Sequence, residues 1–266
     1  MGRSRETSGR HRLYRLGLAA VVLTALLQAC AGPTLEPWHT ERLKEEFTTD
    51  SENIDDLDDY LALEERLFAE LDDEIYGRVE TGPAETLVRY SRGSAADPSD
   101  WQPNWNRTFE LPAEGAVGGV LLLHGMSDSP YSLRAMGQAL NARGLHVLGL
   151  RLPGHGTAPS GLTRVRWQDM AAATRLGMRH LEAVVDDGPL HIVGYSTGAS
   201  LAVNYALYAL EDSGQVAPAS LVLVSPAIGV SRAAGFARWK SALGRVPGLH
   251  GLEWLQIEPE FDPYKY

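Results

Sequence analysis

The sequence predicts an α/β fold with a mostly parallel sheet that is covered by helices on both faces. From residue 117 onward, short apolar runs alternate with segments of helical periodicity. Strands without polar alternation are typical of sheets that are buried on both faces. In addition, a serine between two glycines, Ser196, falls directly between such a run and a helical segment, where parallel sheets present functional groups.

The individual elements follow from this pattern in order. Strands are predicted at 117–123, 146–152, 190–195 and 220–225, and helices at 129–142, 165–185 and 197–210. Ser129 followed by Pro130 is typical of a helix start, and Gly144 of a helix end. Two leading strands are expected at 85–90 and 105–111, with a loop rich in Pro, Ser and Asp between them.

The acidic stretch 36–80 carries apolar residues at helical spacing, which predicts an amphipathic helix. Thr49 and Glu52 form a candidate capping box at its start, and Gly77 is a candidate end. We expect a solvated helix that lies across the domain. A partner-binding or membrane-surface helix is the alternative, although a basic polar face would suit anionic lipid better.

The first thirty residues are typical of an export signal, because several arginines precede a short apolar run at 16–27. That run is shorter than the roughly 20 residues that span a bilayer. The only cysteine, Cys30, follows it directly. Residues 27–30, Leu-Gln-Ala-Cys, resemble a bacterial lipoprotein signal. This resemblance implies cleavage before Cys30 and membrane attachment through acyl chains on it, with an ordinary cleaved signal as the alternative. Ala31 favours the outer membrane.

Composition limits the possible functions. The chain has 266 residues, 44% of them apolar, and a formal net charge of -10, which suits one globular domain and argues against a nucleic-acid partner. The sequence shows neither a metal-ligand cluster at local spacing nor a glycine-rich phosphate loop, so we expect no metal and no organic cofactor.

The strongest chemical motif is Gly194-Tyr195-Ser196-Thr197-Gly198, a G-x-S-x-G pattern between a predicted strand and a predicted helix. This context is that of a nucleophile elbow, in which a tight turn holds the serine hydroxyl above the edge of the sheet. Side chains in place of Gly194 and Gly198 would collide there. We therefore predict that Ser196 is a catalytic nucleophile, the alternative being a tight turn without catalysis.

Two further motifs accompany the serine: His124-Gly125-Met126 after a buried strand, and 151–156, Arg-Leu-Pro-Gly-His-Gly. In this order and spacing, over about residues 118–228, the three motifs resemble the α/β-hydrolase superfamily, in particular its bacterial carboxylesterases, monoacylglycerol lipases and serine aminopeptidase-type hydrolases. The resemblance implies an α/β-hydrolase fold. It also implies an oxyanion hole formed by the backbone N–H groups of Met126 and Thr197.

The catalytic acid and histidine are not expected in this chain. In the α/β-hydrolase fold they follow the serine, whereas His124 and His155 precede it and are interpreted as loop-shaping residues. His250 is the only later histidine, and it comes after too few strands to be a good candidate. We therefore expect a C-terminally truncated chain that is poorly active by itself.

These observations divide the chain into a lipoprotein signal peptide (1–29), a tether with the acidic helix (30–80), an α/β-hydrolase core (81–227) and the start of a cap (228–266), whose apolar residues are expected to cover an acyl pocket or the sheet. The expected function is hydrolysis of carboxylic esters of small molecules through an acyl-enzyme on Ser196. The alternatives are a serine aminopeptidase or amidase, and a non-catalytic surface lipoprotein that uses the fold as a binding module.

Overall fold

A computed structural model describes residues 35–82, 86–212 and 214–229 of the chain. The predicted signal segment, Cys30, His250 and almost all of the predicted cap region lie outside the described residues. The strands, helices and contacts given for this protein are those of these ranges. None of the helices within them is both long and apolar enough to span a membrane.

Five strands form one sheet. They are β1 (Phe109–Leu111), β2 (Gly118–Leu123), β3 (Leu145–Leu150), β4 (Leu190–Tyr195) and β5 (Ser220–Val224), in the order β1-β3-β2-β4-β5. The pairs β3/β2, β2/β4 and β4/β5 are parallel, and only β1 runs antiparallel to its neighbour β3. The predicted mostly parallel sheet is thereby confirmed.

Helices cover both faces of this sheet, which explains why its strands are continuous apolar runs. The helices are α1 (Pro37–Thr40), α2 (Leu57–Glu74), α3 (Arg134–Asn141), α4 (Trp167–Val184) and α5 (Thr197–Glu211). On β2, Val120 and Leu122 pack on the side of α3. Their neighbours Leu121 and Leu123 face the other side and join a cluster with residues of α2, α4 and α5.

The amphipathic helix expected in the acidic stretch is α2, but its predicted start was wrong. The helix is capped by Asp56, whose side chain accepts a hydrogen bond from the Asp59 N–H at 2.9 Å. Thr49 instead donates its backbone N–H (2.8 Å) and its hydroxyl (3.1 Å) to Asp169 at the start of α4. A long-range partner thus replaced the predicted local cap.

The predicted strand at 85–90 was also wrong, since residues 86–90 form turns. The Ser91 N–H donates a hydrogen bond to the Val88 carbonyl at 3.0 Å, and the Tyr90 hydroxyl donates to the Thr157 carbonyl at 3.3 Å. Strand β1 is likewise shorter than the predicted 105–111. The Thr108 N–H just before it donates to the Glu64 carboxylate at 2.9 Å, so this segment pairs with α2 and not with a strand.

The remaining element boundaries differ from the predicted ones by at most a few residues. The helix predicted from residue 129 begins as a 3-10 turn, Pro130–Leu133, before α3. The strand predicted to reach residue 152 ends at Leu150, because the next two N–H groups bind side chains. The Arg151 N–H donates to the Thr108 hydroxyl and the Leu152 N–H to the His124 ring, both at 3.0 Å.

Candidate active site

Ser196 occupies the turn between β4, which ends at Tyr195, and α5, which begins at Thr197. Its backbone has φ 54° and ψ -111°, a region that non-glycine residues rarely adopt and that is characteristic of strained functional turns. The side chain is partly exposed. The turn therefore holds the hydroxyl at the carboxyl edge of the sheet, where ligands bind in open α/β folds.

The two glycines around the serine are required by close packing. A Cβ atom on Gly194 would lie 2.5 Å from the Cα of Ala199, and one on Gly198 would lie 2.6 Å from the carbonyl oxygen of His124. Real Cβ atoms do not approach backbone atoms this closely. The start of α5 can therefore pack directly on the end of β2 only because both positions are glycine.

This packing brings the His124-Gly125-Met126 segment beside the serine. A Cβ on Gly125 would lie 3.0 Å from the Tyr195 ring and 3.4 Å from the Cβ of Ser196. Two motifs that are 70 residues apart in the chain are thus in contact around Ser196.

Met126 and Thr197 line one cavity of about 330 Å³. Thr197 is the first residue of α5, so its N–H has no acceptor within the helix, and the helix dipole adds partial positive charge at this end. The Met126 side chain is 52% exposed. The two residues expected to form the oxyanion hole therefore line the same cavity.

The rest of this cavity is mainly apolar. Its two further polar side chains, Ser200 and Asn204, lie on α5 one and two turns beyond Ser196. The apolar lining consists of Leu162, Val165, Trp167, Met170 and Leu201. A pocket of this size and lining suits an apolar ligand with few polar groups.

His124 is completely buried, and both of its ring nitrogens are bound to backbone groups. Nδ1 lies 2.9 Å from the Gly125 carbonyl and donates to it, while Nε2 accepts the Leu152 N–H at 3.0 Å. Burial, and next the neighbouring His155, hold the pKa of His124 well below its usual range. The ring is therefore a neutral cross-link between the two loops.

His155 is buried beside it, with the two rings edge to face and their centroids 5.0 Å apart. Its Nδ1 donates to the Pro153 carbonyl at 2.9 Å, and burial lowers its pKa to about 4. Within the described residues, no histidine is hydrogen-bonded to the Ser196 hydroxyl. The others that the structure describes bind elsewhere, namely His39, His146, His180 and His191.

Next to these rings lies a buried network of ion pairs that was not predicted from the sequence. The Arg151 side chain is 1% exposed and pairs with Glu46 at 3.1 Å and Glu64 at 2.9 Å. It also donates to the His155 carbonyl at 3.0 Å. The two glutamates are 105 and 87 residues away along the chain, and no local pattern distinguishes them from the other acidic residues around them.

Comparison with known proteins agrees with the geometry. A model of the alpha/beta hydrolase family matches residues 120–265. The thermostable monoacylglycerol lipase of Bacillus sp. (strain H-257) is 29% identical over 123 residues, which cover 46% of this chain and 48% of that protein. The chain thus spans about half the length of this relative.

Solved structures give similar partial matches. One, reported for the metagenome-derived lipolytic enzymes LipS and LipT, is 28% identical with a TM-score of 0.41 and covers 46% of each chain. A monoacylglycerol lipase from Paleococcus ferrophilus is 20% identical with a TM-score of 0.40, over 52% of this chain and 51% of that one. Because the family model matches more than half of the sequence, from residue 120 to residue 265, this chain belongs to the alpha/beta hydrolase family.

Proposed function

We propose that this protein is a serine hydrolase that cleaves carboxylic esters through an acyl-enzyme on Ser196. The observation that carries the proposal is the backbone of Ser196, with φ 54° and ψ -111° between β4 and α5. This conformation keeps a partly exposed hydroxyl at the positive end of a 15-residue helix. A serine that served only as a helix cap would not need this strain.

In the proposed reaction, the Ser196 oxygen attacks the ester carbonyl carbon and the carbonyl π electrons move to the oxygen. The N–H groups of Met126 and Thr197 stabilise that oxyanion. The tetrahedral centre then expels the alcohol, which takes up a proton, and water later hydrolyses the acyl-enzyme to the free acid. A histidine must accept the serine proton and an acid must orient it, and we assign neither role to a described residue, since His124 and His155 are bound to backbone groups.

Two observations favour an ester with an apolar acyl group. The cavity beside Met126 and Thr197 is lined mainly by apolar side chains. The relatives described above are lipolytic enzymes by name. The family alone does not distinguish ester from amide substrates, so the substrate class belongs to the proposal.

The test uses a fluorophosphonate probe on the protein as its gene encodes it. The phosphorus of the probe mimics the tetrahedral centre and reacts only with an activated hydroxyl beside oxyanion donors. We expect labelling at Ser196 alone, and its loss in Ser196→Ala. Ser220→Ala, which removes an exposed hydroxyl at the amino end of β5 and away from the cavity, is the matched control and should keep the labelling.

Two outcomes would contradict the proposal. A folded full-length protein that is unlabelled, or labelled at another serine, would remove Ser196 as the nucleophile. If Ser196 is labelled but p-nitrophenyl esters are turned over no faster than the corresponding anilides, the ester class is wrong and an amidase remains.

We further propose that the mature protein is held on a membrane by acyl chains on Cys30, in the outer membrane. The support is the position of this only cysteine directly after the apolar run. Cys30→Ser should move the protein from the membrane fraction to the soluble fraction. Unchanged fractionation of Cys30→Ser would contradict the anchor.

A further inference from the structure

A second group of chemically capable side chains lies away from Ser196. Glu110 on β1, His146 on β3 and His180 on α4 meet on the face of the sheet that α4 covers. The Nε2 atoms of both histidines lie 2.6 Å from the same oxygen, Oε1 of Glu110. One potential ligand atom from each residue lies within 4.8 Å of the other two.

The position of this cluster separates it from the proposed active site. His146 is the second residue of β3, near the amino end of that strand. Ser196 follows the carboxyl end of β4, which runs parallel to β3 within the sheet. The two groups therefore lie at opposite ends of the parallel strands. The proposed hydrolysis at Ser196 does not involve the cluster.

The donor set determines which ligand fits. Two imidazole nitrogens and one carboxylate oxygen suit zinc and similar transition-metal ions, whereas Mg²⁺ and Ca²⁺ prefer oxygen ligands. The carboxylates of Asp56 and Asp58, at the start of α2, add negative potential at His180. The surroundings thus favour a cation over an anion or a neutral ligand.

The geometry also permits metal binding after a small movement. Zinc bonds of about 2.0–2.1 Å in tetrahedral geometry place ligand atoms roughly 3.4 Å apart, so the 2.6 Å contacts have to open by somewhat less than 1 Å. Glu110 can make this movement because its side chain is 33% exposed, while the His146 side chain is 9% exposed and fixed by packing. The exposed side leaves room for a water ligand.

We propose that Glu110, His146 and His180 bind one divalent transition-metal ion of the zinc class, with solvent completing the coordination. Its role is structural. Strand β1 is three residues long and, among the described residues, lies at the edge of the sheet and pairs with β3 alone. An ion held by β1, β3 and α4 ties this edge to the core without reaching Ser196.

The test measures Zn²⁺ binding to the chelator-treated full chain by calorimetry, with Zn²⁺ as the only added ligand. We expect one equivalent per chain and an unfolding temperature that rises by several degrees with Zn²⁺ and not with Mg²⁺. Affinity should fall at least about tenfold in His180→Gln and in Glu110→Gln. His191→Gln is the control, because His191 is bonded to Ser220 elsewhere in the sheet.

A second readout identifies the ligands independently of stability. Co²⁺ added in place of Zn²⁺ should give visible d–d absorption typical of low-coordinate sites, and this absorption should be lost in His180→Gln. Circular dichroism verifies that each variant keeps its fold. Weak adventitious binding, equal in the unaltered chain and in His180→Gln, would overturn the proposal. So would an equal loss of affinity in His191→Gln.

Discussion

Two segments at the carboxyl edge of the sheet are built in opposite ways. The first, residues 151–157, which we call the Arg151 loop, is buried along its whole length and bound by ion pairs and backbone hydrogen bonds. The second, residues 195–198, which we call the serine turn, has an exposed tyrosine, a partly exposed serine and a strained backbone. The Arg151 loop is thus held by buried ion pairs, whereas the serine turn is held by close backbone packing at Gly194 and Gly198.

The N-terminal segment supplies most of that support. Glu46 and Glu64 pair with Arg151, and the Tyr60 hydroxyl donates to the Arg151 carbonyl at 2.8 Å. Further along, Arg89 donates to the Gly156 carbonyl at 3.2 Å. The family match begins at residue 120, so a region that precedes it holds one of the loops on which the candidate site depends.

Among the substitutions considered, Arg151→Met is expected to have the largest effect on the free energy of unfolding. Removing the guanidinium leaves two buried carboxylates without a counter-charge, which should lower the free energy of unfolding by about 3–5 kcal/mol. Urea denaturation measures this. The control is Arg66→Met, whose pair with Glu45 is exposed and should be worth about 0–1 kcal/mol. Similar losses in both variants would show that the Arg151 loop is not specially supported.

His155 is expected to have a smaller, pH-dependent effect on the free energy of unfolding. Well above pH 6.5, the usual pKa of a histidine, the ring is neutral in both the folded and the unfolded state. Below it the unfolded chain binds a proton, whereas the folded ring, with its pKa lowered to about 4 by burial, does not. The free energy of unfolding should therefore fall between pH 6.5 and 4, by at most about 3 kcal/mol from this ring.

The measurement is urea denaturation at several pH values in the unaltered protein and in His155→Gln. The carboxylates contribute to the acid slope in both, so the difference between the two slopes isolates the histidine. Parallel curves for the unaltered protein and His155→Gln would mean that burial of this ring does not link stability to pH.

The smallest effect is expected from Met126→Ala. The side chain is half-exposed, and only the backbone N–H is assigned to the oxyanion. The rate of fluorophosphonate labelling and the unfolding free energy should both change little, the latter by about 0.5 kcal/mol or less. A labelling rate that drops tenfold or more in a folded Met126→Ala variant would assign a direct role to the side chain.

The sequence by itself determined the elements whose signals are local. The bounds of β4 agree with the predicted 190–195, and β2, α4, α5 and β5 agree within two residues. Each is specified by an apolar run or a helical period. The position of Ser196 between β4 and α5 was predictable for the same reason, because G-x-S-x-G needs only the strand before it and the helix after it.

Only the tertiary structure decided the rest. Thr49 was expected to cap a helix but binds Asp169, and residues 86–90 were expected to form a strand but turn to bring Tyr90 to Thr157. The side chains of Glu110 and His180 are hydrogen-bonded to each other although they lie 70 residues apart along the chain. A buried polar side chain forms hydrogen bonds with the partners that packing brings near it. Short-range periodicity in the sequence cannot predict which partners these are.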